Sequence, residues 1–270
     1  KGGFTMRTGI VAIAAALAFG SSGLCHAGAY SNDFSSSVGA ASLRGNAVLD
    51  SGSVRLTPNS LTQEGSLVID NLDPGLSVAS FDASFTLAIG PAGVTLADGI
   101  SFSFGPPPGG TYGEGGAPTG VVVSFDLWDN GEVPTPPVIR VLVNGTQVAA
   151  QAVTLNSGGA FLPVTVHVDS GGLDLNYNSG TVTFSNVALP GFVPAPNFQF
   201  TFGARTGGFS AEQRIDDVSI TTTPWVPPTP QPVPTLGEWG VMVMAALLAG
   251  LAAYTTRRRR GSGRAMGSEP

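Results

Sequence analysis

Residues 120–150, GVVVSFDLWDNGEVPTPPVIRVLVNGTQVAA, decide the fold. Residues 120–128 form a β-branched, apolar run that stops at Asp129-Asn130-Gly131, a trio suited to positive φ. Residues 138–143 and 146–150 flank Asn144-Gly145, the strongest short hairpin signal, because a type I′ turn needs φ > 0 at both central residues. The same period-two grammar spreads outward in both directions. Upstream it gives strands at 66–69, 81–89 and 99–104. Downstream it gives strands at 162–168, 181–184, 198–202 and 214–220, with Pro163 marking an edge or a strand start. No stretch of this region carries a helical apolar period. About eleven short strands between Gly/Pro turns predict an all-β, two-sheet antiparallel sandwich.

The strands occupy residues 28–223, a comfortable size for one hydrophobic core and short for two. This region has no cysteine, so its core must suffice without disulfides. It also has no lysine: five arginines stand against sixteen Asp and Glu, a net charge of −11. Such a surface repels nucleic acid and anionic lipid. It tolerates neutral glycans and attracts divalent cations, or simply keeps an exported protein soluble.

Both chain ends carry addresses. Met6-Arg7, the apolar run 10–19 and small residues before Ala27 make a secretory signal peptide over residues 1–27, cut by signal peptidase after Ala27. Lys1 to Thr5 precede the first methionine and are left out of fold reasoning. Cys25 has Ser22 where a lipoprotein box wants leucine. At the other end, residues 224–232 hold five prolines, a semi-rigid spacer. Val233-Pro234-Thr235-Leu236-Gly237-Glu238-Trp239-Gly240 follows, then an uncharged run over 240–256, then Arg257, Arg258, Arg259 and Arg260. Eighteen residues of helix span about 27 Å, near the lower limit for a bilayer. The arginines stay on the cytoplasmic side, so everything upstream is expected on the far face. Residues 261–270 read as a cytoplasmic tail.

This tail resembles the IPTL-CTERM sorting signal of Gram-negative bacteria, a relative of PEP-CTERM. Pro234, Thr235, Leu236, Trp239 and Gly240 carry the match, with Val233 where the family usually has isoleucine. The resemblance implies an exosortase-like membrane protease as processing partner, and delivery to the cell surface or extracellular matrix.

Three further stretches, ADGISFSFG (97–105), GVVVSFDLWDNGE (120–132) and FGARTGGFSAEQRIDDVSI (202–220), resemble in order the concanavalin A-like lectin/glucanase superfamily. The resemblance implies a jelly roll with a curved front sheet and a binding edge. Asp98 matches the aspartate that contacts sugar hydroxyls in legume-type lectins; read alone, it belongs to an Asp-Gly turn. Asp126 matches a metal-binding aspartate, but Ser124 stands where those lectins have a glutamate, and no histidine ligand follows. A reduced calcium site would draw on Asp126, Asp129, Asn130 and Glu132; the competing reading is a polar turn. No other cofactor is indicated.

Trp128, Tyr112, Phe209 and Tyr177 lie near expected loops and, with Asp98, form a candidate sugar-stacking rim, although each alone is equally a packing residue. Glu64, Glu114, Glu132 and Glu212 do not form the tight carboxylate cluster a retaining glycosidase needs. His167 occupies a strand position, and no nucleophile triad, zinc spacing or phosphate loop is present. The sequence therefore predicts a non-enzymatic, exported, carbohydrate-binding protein with exopolysaccharide or other glycans as partners. A structural or adhesive matrix protein without a small ligand is the alternative, and a glycoside hydrolase stands third.

Overall fold

The structure, a computed structural model, describes residues 27–91, 93–226 and 236–262. Fifteen strands run in the order β1 (Ala29–Asn32), β2 (Ala41–Gly45), β3 (Val48–Asp50), β4 (Ser53–Thr57), β5 (Glu64–Ile69), β6 (Val78–Gly90), β7 (Gly99–Gly105) and β8 (Val121–Asp126). They continue as β9 (Val138–Val143), β10 (Thr146–Ala152), β11 (Leu162–Asp169), β12 (Gly172–Tyr177), β13 (Val182–Val187), β14 (Gln199–Arg205) and β15 (Glu212–Pro224). A 3₁₀ turn sits at Asn178–Gly180. A separate helix, α1, runs from Leu236 to Ser262.

The strands form two antiparallel sheets. The front sheet has the order β10-β9-β8-β7-β14-β5-β2; the back sheet has the order β13-β12-β11-β6-β15-β4-β3, with β1 also on β15. The 144–145 hairpin forms as expected, pairing Thr146 with Val143. Pro163 marks a strand start and not an edge: β11 lies between β6 and β12, with Pro163 its second residue. Five strands escape the sequence reading, β1 to β4 and β12. ASLRG is too short and too mixed for a clean alternation, whereas GLDLNY does alternate, with Leu173, Leu175 and Tyr177 buried, and carries a strand signal.

The core lies between the sheets. Phe81 and Phe85 of the back sheet meet Phe102, Phe104, Phe125, Phe200 and Phe202 of the front, with edge-on contacts such as Phe85–Phe202 at 4.9 Å and Phe81–Phe200 at 5.0 Å. Burying one such side chain is worth roughly 1.5–3 kcal/mol, and a favourable ring pair adds about 0.5–1.5 kcal/mol. The core extends from Tyr30 to Ile220 in sequence, and β15 ends one residue beyond the expected boundary, at Pro224.

The outer face of the front sheet is covered as well. Along β7, Ile100, Phe102 and Phe104 enter the core, while Ser101 and Ser103 face outward yet are equally buried. The connection between β7 and β8, residues 106–120, folds back over them. Tyr112 N–H donates to Ser66 Oγ (2.8 Å), Ser101 Oγ donates to the Gly113 carbonyl (2.7 Å), Ala117 N–H donates to Ser103 Oγ (3.1 Å), and Ser124 Oγ donates to the Glu114 carbonyl (2.7 Å). Gly203 is required beneath this cover, because a Cβ there would overlap the Tyr112 carbonyl. Ala117, Val122 and Leu142, with Tyr112 against them, make a small apolar layer under the loop.

Helix α1 is a unit of its own. Residues 239–258 have a mean hydropathy of 1.6, which makes them long and apolar enough to cross a membrane. The signal peptide, Pro234 and Thr235 lie outside the described residues.

Candidate functional site

Asp98 is fixed by its backbone on two sides. Its N–H donates to the Arg205 carbonyl (2.8 Å) and its carbonyl accepts from Leu127 N–H (2.8 Å), tying the end of β14 to the segment after β8. The Ala97–Asp98 peptide is cis. Arg205 Nε donates to Asp98 Oδ2 (3.0 Å), and Arg205 Nη2 donates to Glu114 Oε1 (2.6 Å). Gly207 lies against the same carboxylate, where a Cβ would come within 3.2 Å of Oδ1. Asp98 is 7% exposed, and among the described residues Oδ1 has no hydrogen-bond partner. Glu114 is buried with Oε2 unpartnered; burial raises its pKa, against the pull of Arg205.

The aromatic residues divide. Trp128, just after β8, stacks on Phe209 from the β14–β15 loop, with centroids 4.7 Å apart and planes at 29°. Phe209 is 45% exposed, so the pair reaches solvent. That loop is pinned by Thr206, whose Oγ1 donates to the Ser60 carbonyl (2.7 Å) and accepts from Gln63 N–H (2.9 Å). Asp98, Trp128 and Phe209 therefore come together where the interior strands β7, β8 and β14 of the front sheet meet their loops. Tyr112 sits in the loop cover, its hydroxyl donating to the Pro106 carbonyl (3.0 Å). Tyr177 is wholly buried against Phe125 (5.9 Å) and is a core residue, not part of a rim.

The acidic turn is built around an arginine. Asp126 is fully buried, and Oδ1 accepts from Trp128 N–H (3.1 Å). Arg140 Nη2 lies 2.7 Å from Asp126 Oδ2, and Nη1 lies 3.6 Å from Glu132 Oε1. The shorter approach is angled as an ion pair and not as a hydrogen bond, leaving Oδ2 and Arg140 Nε without hydrogen-bond partners. Glu132 Oε2 accepts from Asn130 N–H (2.6 Å), and Asp129 Oδ1 accepts from Gly131 N–H (2.8 Å). Burial pushes the Asp126 pKa up to about 7, outweighing the attraction of Arg140.

This donor set does not fit a calcium ion, which takes six to eight oxygens. Of the oxygens nominated from sequence, Asp126 Oδ1, Asp129 Oδ1 and Glu132 Oε2 accept from N–H groups of the turn, and Asp126 Oδ2 and Glu132 Oε1 face the Arg140 guanidinium. Among the described residues, no three carboxylate, imidazole or thiol side chains converge as a metal-ligand group.

Arg205, Glu114, Gly207 and Arg140 were not legible as site residues. Their one signal is scarcity: Arg140 and Arg205 are two of five arginines in a region without lysine, and both sit on outward positions of front-sheet strands.

The legume-like lectin family model matches residues 29–156, and the IPTL-CTERM motif matches residues 231–260. Solved structures of similar fold include peanut lectin with a 9mer peptide, at TM-score 0.60 and 24% identity, covering 75% of this chain and 100% of that one. A lectin from Bauhinia forficata, in complex with GalNAc, has TM-score 0.58 and 22% identity, covering 74% and 99%. The metal-free exoplasmic/lumenal domain of VIP36 has TM-score 0.57 and 18% identity, covering 73% and 96%; that domain was also solved Ca²⁺-bound. No curated protein matches the chain. This chain thus joins a jelly-roll sandwich of the legume-lectin fold, matched by the legume-like lectin family over residues 29–156, to a C-terminal IPTL-CTERM motif.

Proposed function

We propose that the sandwich is a non-catalytic, carbohydrate-binding module displayed beyond the cytoplasmic membrane. The observation that carries this reading is the meeting of Asp98 with the Trp128–Phe209 stack at one loop-built edge. A carboxylate suits a sugar because it accepts from paired hydroxyl donors. Asp98 Oδ1 would accept, Arg205 would hold Oδ2 in place, and the aromatic pair would pack against a pyranose face. Bauhinia lectin with GalNAc and VIP36 with Man3GlcNAc show this fold binding sugars in those proteins.

A non-enzymatic role suits the clamp at this edge. One guanidinium holds both Asp98 and Glu114, so the two carboxylates are clamped to a shared cation and not set apart as an acid and a nucleophile across a glycosidic bond. Calcium has no part in this reading. Signal peptidase would remove residues 1–27 after Ala27, and an exosortase-like protease would process the box formed by Pro234, Thr235, Leu236, Trp239 and Gly240 ahead of Arg257 to Arg260. Exopolysaccharide or cell-surface glycan is the expected ligand.

The test is a glycan array probed with the full chain in detergent. Specific hits that drop at least about tenfold in Asp98→Ala are expected, since a buried charge-assisted hydrogen bond contributes roughly 1.5–3 kcal/mol. A blank array from folded protein would overturn the reading and leave a structural or adhesive surface protein.

A further inference from the structure

We infer that the Arg140 guanidinium is the resident cation of the turn that carries Trp128, so this edge is ordered without a divalent metal. The placement follows from strand register. Arg140 on β9 stands opposite Ser124 on β8, on the outer face of the front sheet, with Asp126 two residues further along β8 on the same face. Ser124 is small and points its hydroxyl into the loop cover, so the long arginine side chain passes it and reaches Asp126 diagonally.

There the guanidinium bridges Asp126 at 2.7 Å and Glu132 at 3.6 Å. The three side chains are 13%, 0% and 14% exposed, so solvent screens the cluster little. A planar guanidinium spans two carboxylates through separate nitrogens, which a lysine ammonium cannot match. The remaining oxygens fold the turn on itself: Asp126 holds Trp128 N–H and Glu132 holds Asn130 N–H. Leu127 N–H, between them, donates to the Asp98 carbonyl. Charge neutralisation at Arg140 is thereby linked to the position of Trp128 and to the backbone of Asp98. This inference rests on the geometry of the turn and does not require that a sugar binds.

The experiment uses the full chain in detergent and reads metal and melting, not sugar. Calcium titrated into wild-type protein is expected to give no binding heat, and Tm is expected to be the same in EDTA and in millimolar calcium. Arg140→Gln is expected to lower Tm by roughly 6 °C or more, because it leaves Asp126 buried and unpaired. Adding Asp126→Asn to Arg140→Gln is expected to recover most of that loss. Calcium binding or a calcium-dependent rise in Tm in the wild type would overturn the inference. So would an Arg140→Gln variant that melts like the wild type, or a double variant with no recovery, which would reduce Arg140 to packing. If Arg140→Gln fails to fold, the two wild-type arms still decide.

Discussion

At the residue scale, local pattern reveals which side chains are special and hides what holds them. Asp98 and Trp128 are visible in the sequence because each sits at a strand end within a short motif. The partners Arg205, 107 positions from Asp98, and Arg140, on the next strand, are set by sheet register, which no local window contains. His167 shows the same limit. Its period-two position marks it as a strand side chain, but not that it stands between Asp82 on β6 and Asp174 on β12 in one cross-strand row. Its Nδ1 lies 2.7 Å from Asp82 Oδ1, and Nε2 lies 3.6 Å from Asp169 Oδ2. The hydrogen bond to Asp82 raises the His167 pKa above 6.5, against a smaller opposing effect of burial. A raised folded-state value means the protonated pair adds stability below the unfolded pKa of about 6.5, and this is lost as pH rises through the higher folded value. Proton NMR of the sole histidine in residues 28–226 is expected to titrate above 6.5 and to move down in Asp82→Asn. An unshifted midpoint in the variant would mean the pair does not form in solution.

At the element scale, legibility followed length and hydrophobic contrast, with the alternating six-residue β12 the exception. Strands β7, β8, β9, β11, β14 and β15 are legible because each alternates or runs apolar for six residues or more. The edge pieces β2 and β3 are five and three residues long and mostly half-exposed, so little in their composition separates them from loop. The loop cover over the front sheet was illegible for another reason. Ser66, Ser101, Ser103 and Ser124 look like solvent-facing positions of half-buried strands, yet all four are buried under residues 106–120. Polar alternation on a strand therefore marked a hydrogen-bonding seam and not a wet face. Each serine bonds a loop backbone group; the Gly113 carbonyl also accepts from Gly116 N–H (3.1 Å), whereas the Glu114 carbonyl has Ser124 as its one donor among the described residues. Removing the Ser124 hydroxyl leaves the Glu114 carbonyl without a donor among the described residues. Ser124→Ala is expected to cost about 1–3 kcal/mol in urea unfolding and to speed proteolytic nicking within residues 106–117. Unchanged stability together with an equally resistant loop would show that water replaces the hydroxyl at no cost.

At the scale of the whole molecule, the chain separates what folds from what delivers. The buried core cluster runs from Tyr30 to Ile220, and β15 closes the sandwich at Pro224. Trp225 N–H still donates to the Ser77 carbonyl (2.7 Å), so the sandwich holds the chain one residue past its last strand. The apolar side chains of α1, from Val241 to Tyr254, are exposed. Twenty residues at 1.5 Å each make about 30 Å, the thickness of a bilayer core. Outside a membrane, that apolar surface would be an aggregation liability. The sandwich, with a net charge of −11, is repelled electrostatically by an anionic membrane face. Membrane association should therefore reside wholly in the tail and stability wholly in the sandwich. A chain ending at Val226 is expected to melt within about 2 °C of the full chain, since it keeps the whole core cluster from Tyr30 to Ile220. The same truncation is expected to move the protein from the carbonate-resistant membrane fraction to the soluble one. A truncated chain that stays with membranes would assign an anchor to the sandwich itself, and one that melts much lower would show that the tail supports the fold.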